Sequence, residues 1–149
     1  MTPDERSRVT RRAVDELLGR LAAQDHEGIA ALFATDFDWR LSWPERELDG
    51  PIPWIRRRRT REDVARHFRS LAEHNAPHGT GTAIDRILVD GEHAVLMGTI
   101  RNVLTSTGAP YQAHFALHLT VEDGRITRYH IYEDSLAVAE AWHGRHLAE

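Results

Sequence analysis

The spacing of hydrophobic residues changes several times along the chain, and each change marks an element. From about Asp4 to Gln24, Val9, Ala13, Val14, Leu17, Leu18 and Leu21 recur at helical spacing. Asp25 and His26 interrupt that helix, and a short second one follows over GIAALFA, residues 28–34. Phe37, Trp39, Leu41 and Trp43 then alternate with Asp38, Arg40 and Ser42, the period of a half-buried strand. Residues 44–53, PERELDGPIP, hold too much proline, glycine and charge for regular structure. Thr60 with Asp63 resembles a capping box, with Asp in place of the usual Glu or Gln, and predicts a helix to about Asn75. Its apolar face carries Val64, Phe68 and Leu71, and His67 lies on that same side.

From Gly79 onward the period of two returns. TAIDRILV ends at Asp90-Gly91, AVLMGTIRNVL at Thr107-Gly108, and YQAHFALHLTV at Asp123-Gly124. Asp-Gly between two β-type runs is the strongest short hairpin signal. The last strand, Arg125 to Glu133, puts Tyr129, Ile131 and Glu133 on one face and His130 and Tyr132 on the other. Asp134 and Ser135 are good N-cap residues for a closing helix. Helices first and hairpins afterwards predict an α+β domain with an antiparallel sheet. The domain is single over residues 1–149, with a core from about 6 to 142 and a short tail. The central strands are apolar on both faces (Leu96 and Ile100 against Val95 and Met97), so one face should meet helices and the other a second copy, making a homodimer.

Composition narrows the chemistry. A net charge of -4 and a pI near 6.2 give no support to nucleic-acid binding. No apolar run approaches a membrane span, and the polar N-terminus lacks the centre of a signal peptide, so cytoplasm is the default expectation. The absence of cysteine excludes thiol nucleophiles, disulfides and thiolate metal sites. Lysine is absent as well, all 19 basic residues being arginine, which removes Schiff-base chemistry through a side-chain amine. Carboxylates, imidazoles, hydroxyls and hydrogen bonds are what remain for catalysis.

A helix, a short helix ending in LFA, an aromatic strand, a Gly-Pro loop, another helix, and hairpins closing on DGRI and YEDS together resemble the SnoaL-like group. This group belongs to the nuclear-transport-factor-2-like fold, with ketosteroid isomerase and limonene epoxide hydrolase. The resemblance covers roughly Arg6 to Trp142. It implies a cone-shaped α+β barrel, with N-terminal helices packed on a strongly curved antiparallel or mixed sheet around an apolar pocket. It also implies catalysis by a few polar side chains without metal or nucleotide cofactor. The family's known catalytic positions are missing. Aligned on LFA, the isomerase's proton-shuttling aspartate falls on Leu41 and its phenolic donor on Leu17. Aligned on the last hairpin, the epoxide hydrolase's Asp, Arg and Asp fall on Ile100, Gly98 and Ile131, and the aspartate of SnoaL-type cyclases also falls on Ile131.

Glu133, two residues beyond Ile131 on the same face, should enter this pocket near its wide end. A carboxyl in an apolar site has its pKa raised and can serve as acid or base near neutrality; the alternative is an exposed strand-end glutamate bonding the last helix. Tyr129 and Asn102 share the inferred pocket face and suit a carbonyl, epoxide or developing alkoxide. His67 is a candidate acid–base partner of Glu133, or else a satisfied core histidine. Trp39, Leu41, Trp43, Phe68, Ile100, Phe115 and Ile131 make the expected wall for a flat, aromatic or polycyclic ligand. The ten histidines do not amount to a metal site: His114 and His118 are about 13 Å apart along a strand. His143 and His146 fall in the tail. With His130 and Tyr132, His114 and His118 fit the opposite sheet face, at a partly polar dimer interface. Arg56 to Arg59 is the one dense basic run, a solvated loop or a contact for an anionic group or acidic carrier protein.

These readings point to a cofactor-independent acid–base enzyme, a cyclase or isomerase of secondary metabolism, acting on a hydrophobic polyketide-like or aromatic molecule. Two rivals stand beside it: epoxide opening, by water or by an internal hydroxyl giving a cyclic ether, and a ligand-binding module with no chemistry.

Overall fold

The computed structural model describes residues 1–77, 79 and 81–144. His146, read above as part of the tail, lies outside them. Helix α1 spans Pro3–Ala22, opened by a capping box between Thr2 and Glu5 with proline in the first turn. It buries Thr10, Ala13, Val14 and Leu17. Helix α2, His26–Ala31, is capped by Asp25 and stops before the LFA triplet ends, because Phe33 already begins strand β1, Phe33–Leu41. Phe33 pairs with Ile126, and this long-range pairing outweighs the local helical pattern. A 3₁₀ turn over Glu45–Asp49 breaks the loop that follows. Helix α3, Arg61–His74, carries the capping box read from Thr60 and Asp63.

The remaining strands are β2 (Asn75–Pro77), β3 (Ala83–Asp90), β4 (His93–Leu104), β5 (Pro110–Glu122) and β6 (Arg125–Glu133), with helix α4, Ser135–His143, closing the chain. Asp134 stands at the N-cap of α4 but its side chain makes no capping hydrogen bond. The six-stranded sheet runs β1-β6-β5-β4-β2, with β3 also paired to β4. It is mixed rather than purely antiparallel, since β1 lies parallel to β6. In the β5–β6 turn Asp123 and Gly124 both adopt positive φ, 52° and 76°, as a type I′ hairpin requires. Strands β2 and β3 follow one another along the same edge of β4. Where β3 shifts register between Ile84 and Arg86, Gly98 lets the strands press together: a Cβ there would sit 2.0 Å from the Ala83 carbonyl oxygen.

The inner face of the sheet meets the helices. Side chains divide between two buried clusters, one under α1, α2 and α3 around Leu17, Phe33, Trp39 and Phe68, the other around Ile52, Trp54, Ile55, Tyr111 and Val138. Leu41, Leu71 and Ile100 pack against both without being fully buried. The two clusters do not merge, and the gap between them is the cavity described next.

The outer face is open, with Met97 and Tyr132 exposed on it. A chain of polar contacts crosses it: His93 Nδ1 lies 3.0 Å from His118 Nε2, and His130 Nε2 lies 2.9 Å from Asp38 Oδ2. Burial, Arg128 and the neighbouring histidines hold the His118 pKa below its ordinary value. Among the described residues no cluster of three His, Cys, Asp or Glu side chains is placed to hold a metal ion. No described helix is long and apolar enough to cross a membrane.

Candidate active site

A cavity of about 670 Å³ lies between the helices and the inner sheet face. Leu41, His67, Phe68, Ile100, Asn102, Phe115, Tyr129, Ile131 and Glu133 all line it. Nine of the expected residues therefore lie on one cavity, seven read from strand alternation and His67 and Phe68 from the helical spacing of α3. The lining reaches solvent at Gln24, Ala72, Pro77 and Thr82, from the α1–α2 turn, α3 and the β2–β3 link, while Glu133 belongs to a different wall at the end of β6.

Trp39 and Trp43 do not line it. Trp39 pairs with Tyr129 across β1 and β6, and its ring stacks on the Tyr129 ring at 4.2 Å with the planes 7° apart. It forms a second layer, holding Tyr129 from behind and meeting the His67 ring edge-on at 4.7 Å. Such aromatic contacts add roughly 0.5–1.5 kcal/mol beyond the area they bury. Trp43 lies two residues beyond the last β1–β6 pair, Leu41 with Ile131, which brings it alongside Glu133. Its Nε1–H donates to Glu133 Oε1 at 2.8 Å. Ser42 completes the bracket by accepting from the Glu133 backbone N–H at 2.8 Å.

Glu133 is thus aimed inward by the two residues that follow β1. Burial raises its pKa, the Trp43 hydrogen bond opposes that rise, and the adjacent Asp134 charge adds to it. The other carboxyl oxygen has no hydrogen-bond partner among the described residues. Burial, reinforced by the Glu133 charge, also raises the Tyr129 pKa and keeps its hydroxyl protonated. Among the described residues that hydroxyl has no hydrogen-bond partner. Among the described residues, the sealed polar side-chain atoms without a partner are Trp39 Nε1, Arg58 Nε and Arg128 Nε. Neither the Tyr129 hydroxyl nor the second Glu133 oxygen belongs to that set, so both keep access to the cavity.

His67 lies on the opposite wall, from α3. Its Nδ1 is 3.2 Å from the Trp54 carbonyl oxygen. Burial and the nearby Arg58 guanidinium drive its pKa down to about 3, so the ring is neutral at physiological pH. A ring held neutral offers a donor at one nitrogen and an acceptor at the other. A second polar station went unseen in the sequence: Tyr111 donates to Asn75 Oδ1 at 2.8 Å and accepts from Asn102 Nδ2 at 3.2 Å. Burial pushes the Tyr111 phenol up to about 12. Tyr111 shares its parity on β5 with Ala113 and Phe115, and that alternation was the signal that would have found it.

The Arg56–Arg59 run is divided by the fold. Arg56 donates to the Ile52 and Ile55 carbonyls at 2.7 and 2.8 Å, and Arg57 pairs with Glu45. Arg58 is half-buried, and desolvation lowers its pKa.

A family model for the SnoaL-like domain matches residues 14–129, and the chain belongs to that family. Its fold is shared with solved structures of low sequence identity. A nuclear-transport-factor-2-like protein from Burkholderia xenovorans superposes with a TM-score of 0.72 at 19% identity, covering 95% of this chain and 98% of that one. An LEH-like epoxide hydrolase from M. tuberculosis gives 0.66 at 20% identity, with 91% of each chain covered. TerC, co-crystallised with polyporic acid, gives 0.71 at 20% identity, covering 89% of this chain and 97% of that one. No curated protein matches the sequence.

Proposed function

We propose that the protein is a cofactor-independent acid–base enzyme, a cyclase or isomerase acting on a hydrophobic, aromatic or polyketide-like ketone of secondary metabolism. The observation that carries this reading is Glu133, with one oxygen fixed by Trp43 and the other unpartnered in an apolar cavity shared with the free Tyr129 hydroxyl. Raising the pKa of a carboxylate makes it a stronger base, suited to removing a proton from carbon beside a carbonyl. The Tyr129 phenol, kept protonated, would donate to the oxygen that gains charge, with Asn102 assisting. Returning the proton from Glu133 to a second carbon gives isomerisation, and attack of the enolate on an internal carbonyl gives ring closure. The test is Glu133→Gln, expected to lower turnover by roughly a hundredfold or more while preserving the fold.

Epoxide opening is a second reading, favoured by one feature: the neutral His67 on one wall and a Glu133 whose raised pKa lets it hold a proton on another. Labelled water oxygen appearing in the product would single out hydrolysis, and unlabelled product would assign internal closure. Binding without any reaction, at high protein concentration and over long incubation, would leave only a ligand-binding module.

We infer further that a second copy covers the outer sheet face, where Met97 and Tyr132 are exposed and groups of both signs, Asp38 and Glu92 with Arg40 and Arg128, lie further along the strands. Light scattering should then give a dimer mass that Met97→Glu reduces to that of a monomer; a monomeric wild type contradicts this.

A further inference from the structure

His67 is placed to read a feature of the ligand rather than to move a proton. Its Nδ1 is within hydrogen-bond distance of the Trp54 carbonyl, which can only accept, so Nδ1 carries the ring's N–H. A neutral imidazole has one N–H, and Nε2 is therefore left with a bare lone pair. The ring cannot turn to hide it: Trp39 packs edge-on at 4.7 Å and Phe68 edge-on at 4.9 Å. Among the described residues Nε2 has no partner, yet it is not one of the sealed orphan atoms, and His67 lines the cavity. An acceptor facing an apolar hollow is costly until a donor meets it. On another wall Tyr129 presents the opposite polarity, an unpartnered O–H from β6, beside the Glu133 carboxyl.

We propose that His67 Nε2 receives a hydroxyl of the ligand, so that the cavity selects molecules bearing a hydroxyl on one side and a carbonyl on the other. The inference rests on the reading of Glu133 and Tyr129 as the carbonyl-binding pair. It makes His67 a specificity-determining residue. A phenol or enol hydroxyl would donate to Nε2 while the carbonyl oxygen accepts from Tyr129, fixing the ring system across the cavity with its reacting carbon toward Glu133. Replacing that hydroxyl by a methoxy group removes the donor and puts a methyl where the proton was. Burial and the neighbouring Arg58 support this assignment, because they keep the ring neutral, at a pKa of about 3, and Nε2 an acceptor.

The test uses two probes of one shape, 6-acetyl-2-naphthol and its methyl ether, titrated calorimetrically at pH 7. Wild type should bind the naphthol about tenfold more tightly or better, His67→Phe should bring the two within about twofold, and His67→Gln, whose amide oxygen accepts, should restore part of the preference. Equal binding of both probes to wild type, or a preference that survives His67→Phe, overturns the proposal. A readout free of any variant is the ¹⁵N resonance of Nε2, which should move upfield when the naphthol saturates the protein and stay still with the ether. An unmoved resonance at saturation also overturns it. Equal binding with Glu133-dependent chemistry intact would sink only the hydroxyl subsite, whereas failure of both probes to bind would sink the aromatic-ketone reading with it.

Discussion

The Trp43 indole N–H donates to Glu133 Oε1 at 2.8 Å, across the parallel junction of β1 and β6, and this contact restrains the rise that burial gives the one carboxyl lining the cavity among the described residues. A hydrogen bond to the ionised form lowers a carboxyl pKa, whereas burial raises it. Burial is the larger influence on Glu133 and Trp43 the larger restraint. Trp43→Phe should therefore move the Glu133 titration, followed by ¹³C NMR of the side-chain carboxyl, further upward. The basic form of the enzyme would appear at correspondingly higher pH. A downward move, or none, would remove Trp43 from this role.

Tyr129 gives a separate prediction. Its ring is held by Trp39 at 4.2 Å and should survive loss of the hydroxyl, so Tyr129→Phe changes chemistry more than structure. A donor aimed at developing negative charge is worth about a hundredfold in rate. The variant should lose most of that in kcat with KM little altered. A rise in KM alone would mean that the hydroxyl binds substrate without stabilising the transition state.

Much of this arrangement was legible in the sequence, and the remainder fails for identifiable reasons. Period-two alternation from Tyr129 to Glu133 put the right side chains on the cavity face, and Asp123-Gly124 fixed the hairpin that carries them. Strand β2 was missed because Asn75–Pro77 is only three residues long and directly continues α3. The parallel pairing of β1 with β6 is nonlocal, and no local pattern announces it. That pairing also sets Trp39 behind Tyr129 and Trp43 beside Glu133. Ser42 and Asn75 act through contacts that only tertiary structure brings together.

The buried histidine should leave a mark on acid stability. His67 titrates near 6.5 when unfolded and at about 3 when folded, so protons bind the unfolded chain preferentially between those values. Stability should then fall as pH drops below 6.5, by roughly 1.4 kcal/mol per pH unit from this group. Glu133 acts with the opposite sign: its raised pKa favours the folded state at low pH, an advantage lost as pH rises through that value. Comparing wild type with His67→Gln by urea unfolding between pH 4 and 7 cancels the Glu133 contribution. The variant should show the shallower decline, and equal slopes would mean that His67 is protonated in the fold.

The most direct measurement is of proton transfer itself. Incubating 6-acetyl-2-naphthol with the protein in deuterium oxide and following mass gain at the acetyl methyl group reports removal of a proton beside the carbonyl. Wild type should accelerate the exchange, and Glu133→Gln, folded by circular dichroism, should slow it by about a hundredfold or more. Exchange at the same rate in both proteins, or no acceleration by wild type, would contradict the assignment of Glu133 as the base.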